Sequence, residues 1–259
     1  MIKLNNISYK YSNNYKALNN INIEINPKEI TVIVGKNGSG KSTLGNVIAG
    51  LYKTTGKIYL EDIEYKKIKP KELRKNIGIV FQNPNNSIVF TSIKDDMTFT
   101  FKNLNVPEPE WNERINSSLN VVGMERYLNK NPYELSYGQK QRIAIANVLA
   151  IKPKYIIFDE STSMLDNEGK NNIYKIIREL KDCGMGIVFI TNNIDEIKLA
   201  DKIIFLKDGQ IHNEIKKGNE KDLIKTLEEL NFDLTFYYKL IKQSFKNSKI
   251  KEIIGEYDE

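Results

Sequence analysis

At 259 residues, the chain has the length of one large or two modest domains, taking about 150 residues per domain. Its 40% hydrophobic and 28% charged content is that of a folded globular protein, which excludes collagen-like, disordered and disulfide-scaffold classes. Lys+Arg 39 against Asp+Glu 33 leaves +6 with the two signs interspersed, so no basic arm dedicated to nucleic acid is expected.

The opening alternates, with Ile2, Leu4 and Ile7 followed by Ile21, Ile23 and Ile25 across the polar stretch Ser12-Asn13-Asn14, which predicts antiparallel strands joined by a loop. Glu29 to Val34 then gives a short β-branched run of the kind found in a buried strand, and it ends in a glycine-rich loop. Leu44, Val47, Ile48 and Leu51 recur at helical spacing, and Gly50 stands where that helix should stop. Strands are expected again at Lys57–Leu60 and Ile77–Phe81, followed by the turn-rich Gln82-Asn83-Pro84-Asn85-Asn86. Ser92 to Ala150 reads as mostly helical, broken at Pro107, Pro109 and Pro132, and looks inserted into an α/β core that resumes at Tyr155–Phe158. Strands at Gly186–Ile190 and Lys202–Leu206 bracket a helix carrying Ile194, Ile197 and Leu199, and Lys207 to Gln210 makes a turn into Ile211. Beyond Gly218, Leu223, Ile224, Leu227 and Leu230 mark an amphipathic helix that precedes a tyrosine and phenylalanine cluster. Cys183, the single cysteine, is expected at a helix end or in the core and fits a reducing compartment. No secretory signal and no apolar run of the roughly 20 residues that cross a bilayer are expected, so membrane work would be done from the cytoplasmic side through another chain.

Gly35-Lys36-Asn37-Gly38-Ser39-Gly40-Lys41-Ser42 fits the phosphate-loop pattern: glycines let successive backbone N–H groups face phosphate oxygens, and Lys41 meets the terminal phosphates. Ser42 offers a hydroxyl to Mg²⁺, and the helix that follows sets its positive end behind the anion. Tyr155 to Phe158 runs into Asp159 and Glu160, and strand alternation sends these neighbours to opposite faces. Asp159 is expected to hold the metal and Glu160 to polarise the attacking water.

Leu135-Ser136-Tyr137-Gly138-Gln139 completes a set of motifs that resembles the nucleotide-binding subunits of ATP-binding cassette (ABC) transporters, over nearly the whole chain up to about Gly218. The resemblance implies an α/β fold with a P-loop NTPase (RecA-like) core, an antiparallel β subdomain and an inserted helical signature subdomain at about residues 86–150. The ATPase domain is expected to span 1–218 and a helical C-terminal extension 219–259. It implies ATP and Mg²⁺ as ligands, with Tyr11 stacked on adenine and Gly35, Asn37, Gly38, Ser39, Gly40, Lys41, Ser42 and Thr43 around the phosphates. Gln82 would sense the γ-phosphate and metal, Ser42, Gln82 and Asp159 would serve the metal, and Glu160 and Asn192 would take catalytic positions. Ser136, Gly138 and Gln139 would close over the γ-phosphate held by a partner, in a head-to-tail dimer with Ser163-Met164-Leu165-Asp166 as a contact loop.

A narrower resemblance lies in Phe81 to Val89 followed by Asp95-Asp96-Met97-Thr98-Phe99, which is similar to the ATPases of energy-coupling factor (ECF) transporters for vitamins or metal ions such as cobalt. It implies a peripheral place at the cytoplasmic face of the membrane, under an integral coupling protein and a substrate-binding membrane protein. Asp95 and Asp96 would line the groove for basic coupling helices. Two departures stand out: Asn192 replaces the family's histidine, and Tyr137 replaces a signature glycine. They fall in different composite sites, which favours a heterodimer. His212, the only histidine, is expected on the sheet surface. A soluble ABC ATPase of ribosomes or nucleic acid and a catalytically weak regulatory subunit stay open as alternatives. A single phosphate loop and the lack of a sustained heptad run between Ser42 and Ser136 count against the first, and Asn192 keeps the second.

Overall fold

Residues 1–232 are described by a computed structural model. Strands β1 (Ile2–Lys10) and β2 (Lys16–Ile25) pair antiparallel, with Ile2 opposite Ile25, Leu4 opposite Ile23 and Ile7 opposite Ile21, so the alternating isoleucines and leucine bury one face. With β4 (Thr55–Leu60) and β5 (Ile63–Glu64) they form a four-stranded sheet in the order β2-β1-β4-β5.

The second sheet is six-stranded. It is made of β3 (Ile30–Val34), β6 (Ile77–Val80), β7 (Tyr155–Asp159), β8 (Gly186–Thr191), β9 (Lys202–Lys207) and β10 (Gln210–Lys216), in the order β10-β9-β3-β8-β7-β6. All neighbours are parallel except β9 and β10, which share the turn at Asp208-Gly209. Every residue of β3, β7 and β8 is buried, as expected for strands covered on both faces.

Alternation divides the core in two. Val32, Val34, Ile156, Phe158, Ile187, Phe189 and Phe205 face α3 (Ile93–Leu104), α4 (Trp111–Val121), α5 (Tyr137–Ala150) and α6 (Asn167–Asp182). Ile33, Ile157, Val188, Ile190 and Ile204 face α1 (Lys41–Ile48) and the small sheet, with α2 (Pro70–Asn76) beside them through Leu73. Burying a side chain of this kind is worth about 1.5–3 kcal/mol relative to exposure, so the two clusters are the main source of stability. Helix α7 (Glu220–Glu229) joins the first cluster through Leu223 and Leu227, with Leu230 just beyond it. The aromatic cluster expected after that helix, and the rest of the extension to 259, lie outside the described residues.

The helix expected around Ile194, Ile197 and Leu199 is a 3₁₀ helix over Ile194–Leu199; Asn193 caps it, and its three-residue period stacks Ile194 over Ile197. Leu51 falls beyond α1, is 43% exposed, and follows Gly50, whose φ of +72° turns the chain out of the helix. Cys183 caps the C-terminal end of α6 and is exposed, and His212 is exposed on β10 with Nε2 3.1 Å from Glu229.

Candidate nucleotide site

Four adjacent parallel strands, β3, β8, β7 and β6, carry the site at their C-terminal ends, the place where open α/β sheets hold ligands. Beyond β3 the loop from Gly35 to Gly40 leads into α1 with Gly38 at φ +82° and Gly40 at φ +99°. A Cβ on Gly40 would come within 2.6 Å of the Ala17 carbonyl, so glycine is required there by space as well as by backbone conformation. The loop is seated against the turn of the large sheet, where Gly209 N–H donates to the Ser39 carbonyl at 3.0 Å.

Lys41 is 4% exposed, and its ammonium donates to the carbonyls of Gly35 at 2.8 Å and Lys36 at 3.1 Å. Burial pulls its pKa below the ordinary lysine value, against the opposing pull of the Glu160 and Asp159 charges. Ser42 donates its hydroxyl to Asp159 Oδ1 at 2.9 Å. Burial raises the Asp159 pKa, the Ser42 bond resists that, and the nearby Glu160 charge adds to it.

Strand alternation does not separate the two acids. β7 stops at Asp159, and Glu160 adopts φ +45° with its N–H on the Ile190 carbonyl, so both carboxylates turn toward the phosphate loop. Glu160 Oε1 lies 3.7 Å from Lys41 Nζ, and Gln82 Nε2 donates to Glu160 Oε2 at 3.3 Å. A left-handed glutamate is strained by roughly 1–3 kcal/mol, and such strain gathers at functional sites. Beyond β8, Asn192 Nδ2 donates to Asn37 Oδ1 at 3.2 Å. The structure thus brings together Lys41, Ser42, Asp159, Glu160 and Gln82, with Asn192 on the loop rim.

Tyr11 follows β1 and shares a hydrogen bond of 2.8 Å with Thr43 Oγ1. Its ring meets Tyr9 edge-on at 5.0 Å, and Tyr9 stacks on Tyr52 at 4.9 Å. Tyr9 and Tyr52 were missed from sequence; the signal for Tyr9 was its two-residue spacing from Tyr11, which extends the strand period.

The signature residues lie elsewhere. Ser136, Tyr137, Gly138 and Gln139 line a cavity of about 510 Å³ together with Asp166 and Glu168, and no phosphate-loop residue lines it. Ser136 Oγ accepts from Gln139 N–H, and Gln139 Oε1 accepts from Ser136 N–H, a reciprocal cap that uses the serine hydroxyl as an acceptor and not as a donor. Gln139 Nε2 is engaged by Tyr127 Oη at 3.1 Å. Met164 is 67% exposed beside this cavity, and Asp166 caps α6. Tyr137 turns back onto its own chain and donates to the Gln82 carbonyl at 2.5 Å.

Asp96 is not available to a partner. It is 4% exposed, with Oδ1 accepting from the Val89 and Phe90 amides and Oδ2 from Asn147 Nδ2. Asp95 is exposed. Among the described residues no helix is long and apolar enough to cross a membrane.

The family model for ABC transporters matches residues 18–163. The energy-coupling factor transporter ATP-binding protein EcfA1 of Mycoplasmopsis synoviae (strain 53) is 40% identical over 249 residues, covering 93% of this chain and 92% of that one. Among solved structures, cbiO1 from Clostridium perfringens, described as part of the ABC transporter complex cbiONQ, superimposes with a TM-score of 0.77 at 32% identity, covering 93% of this chain and 98% of that one. A dimeric post-hydrolysis state of the cassette MJ0796, bound to ADP and Pi, gives a TM-score of 0.73 at 33% identity over 83% of this chain and 98% of that one. Sequence, fold and the order of the motifs agree: the chain belongs to the ABC transporter family and, within it, to the energy-coupling factor transporter ATP-binding proteins.

Proposed function

We propose that this ATPase, which binds and hydrolyses ATP to energise import, works as one half of a head-to-tail dimer with a second ABC ATPase at the cytoplasmic face of the membrane. An integral coupling protein and a substrate-binding membrane protein would complete the complex, and the substrate protein would choose the vitamin or metal ion carried. The convergence on Glu160 carries the reading: one carboxylate within 3.7 Å of the phosphate-loop lysine and 3.3 Å of Gln82 is a charge-focused site suited to phosphoryl transfer to water.

The residues fit Mg²⁺. Ser42 and Asp159 give hard oxygen donors side by side, and substrate phosphates would supply further oxygen ligands. When bound, the ion neutralises phosphate charge. Lys41 and the loop N–H groups would hold the β- and γ-phosphates, Tyr11 would stack on the base, and Thr43 would steady the loop. Gln82 and Asn192 would orient the γ-phosphate and the water. Glu160 would accept one proton from that water as its oxygen bonds to the γ-phosphorus and the bond to the bridging oxygen breaks, leaving ADP and phosphate. Ser136, Gly138 and Gln139 would serve the partner's nucleotide through the serine hydroxyl and the start of α5.

Glu160→Gln keeps shape and removes the base. The variant is expected to accumulate as an ATP-bound dimer on gel filtration, and no more dimer than the parent chain shows would count against the reading. Purification from gently solubilised membranes is expected to bring a second ABC ATPase and an integral membrane protein; soluble ribosomal proteins alone would replace the proposal with the soluble-ATPase alternative.

A further inference from the structure

We infer that Tyr137 is a positioning residue that ties the partner-facing signature helix to the loop holding this chain's own Gln82, so that the two ATP sites of the dimer share one mechanical element. The inference rests on the two-site reading above and adds the side chain through which the sites are joined.

Three side chains on α5 reach the loop after β6. Tyr137 Oη donates to the Gln82 carbonyl at 2.5 Å, Lys140 Nζ to Asn85 Oδ1 at 3.3 Å, and Gln141 Nε2 to the Phe81 carbonyl at 3.3 Å. Positions 137, 140 and 141 are i, i+3 and i+4, one face of a helix, and that face is given over to holding the loop. Gln141 is fully buried and fixes the loop where it leaves the sheet. Tyr137 is half-buried at the outer end, beside Ser136, and both line the signature cavity.

The path continues inward. Gln82 uses its carbonyl for Tyr137 and its side-chain amide for Glu160 at 3.3 Å, so two hydrogen bonds span the distance from the signature to the carboxylate beside Lys41. Glycine, the residue that the signature pattern carries at this position, has no side chain to reach Gln82. The outer part of the loop would then keep the packing of buried Pro84 and the exposed Lys140 contact but lose this hydrogen bond from α5. Burial raises the Tyr137 pKa, so the phenol keeps its donor proton throughout the neutral range.

Tyr137→Phe removes one oxygen and keeps the ring. In the nucleotide-free full chain, amide hydrogen exchange across residues 82–87 is expected to rise about three- to tenfold, the effect of losing one hydrogen bond. In the complete transporter, kcat is expected to fall by a similar factor while KM for ATP stays within about twofold, with Tyr137→Gly at least as impaired. Unchanged loop exchange overturns the inference, as does faster exchange with parental kcat, because the bond would then be local only. Failure of the two-site reading shows separately, as a Glu160→Gln chain that forms no ATP-dependent dimer while Tyr137 is intact.

Discussion

Asn192 sits one residue past β8 with its amide on Asn37, within the phosphate-loop rim. Asparagine offers a neutral donor on a short side chain, whereas the histidine of the family pattern reaches farther and can carry charge. A single transition-state donor of this kind is worth about a hundredfold or more in rate. Asn192→His is therefore expected to raise turnover of the assembled complex by about tenfold or more while nucleotide affinity changes little, which steady-state kinetics beside equilibrium nucleotide binding would check. Unchanged or lower turnover would sink the idea. The residues of this rim were legible because the phosphate loop is local: glycines, lysine and serine stand together in eight consecutive positions. The left-handed turn at Glu160 was not legible, because it is fixed by a bond from its N–H to Ile190, a partner on the neighbouring strand.

The Asp95-Asp96 pair shows the same limit at the level of elements. Both acids lie in the first turn of α3, where a helix favours negative charge; Asp96 falls three residues after Ile93 on the stripe with Met97 and Phe101, but spacing alone does not say what would satisfy a carboxylate there. Tertiary structure does, by folding Val89, Phe90 and Asn147 onto one carboxylate. Asp96→Ala would leave three donors without their acceptor, and a loss of about 3 kcal/mol or more is expected, read as a lowered midpoint in urea. Val89, 65% exposed, and Phe99, 43% exposed, flank this clamp, so Asp96 holds an apolar segment outward. In the Asp96→Ala chain, assembly with membrane partners is expected to fall more than ATP binding does; equal losses would mean that the clamp serves the fold alone. The strands themselves were legible, since period-two runs such as Ile21, Ile23 and Ile25 bury as written. The 3₁₀ helix at Ile194–Leu199 was read as helix without its pitch, because Ile194 and Ile197, three residues apart, satisfy either period within so short a segment.

For the whole molecule, three buried phenols bear on stability against pH. Burial raises the pKa of Tyr155 to about 12 and raises those of Tyr65 and Tyr174 as well, and Tyr174 also donates to the buried Glu196 at 2.7 Å. A raised folded value means that the fold prefers the protonated phenol. Its contribution is complete below the ordinary value near 10 and is lost as pH climbs through about 12, at up to about 1.4 kcal/mol per pH unit for each phenol. The melting temperature is expected to drop steeply from pH 10 to 12, and Tyr155→Phe to make that decline shallower; parallel curves for parent and variant would exclude the assignment. The order of strands has a further consequence. Gly35, Asn192 and Glu160 are each the first residue past β3, β8 and β7, and Gln82 is the second past β6, so the reacting groups stand on the rim of a sheet whose register does not depend on them. Mutation can retune the rate at one rim position while leaving the architecture intact, and descent from one ancestral ATPase can divide labour between paired copies, a fast one and a slow one, without either losing its shape.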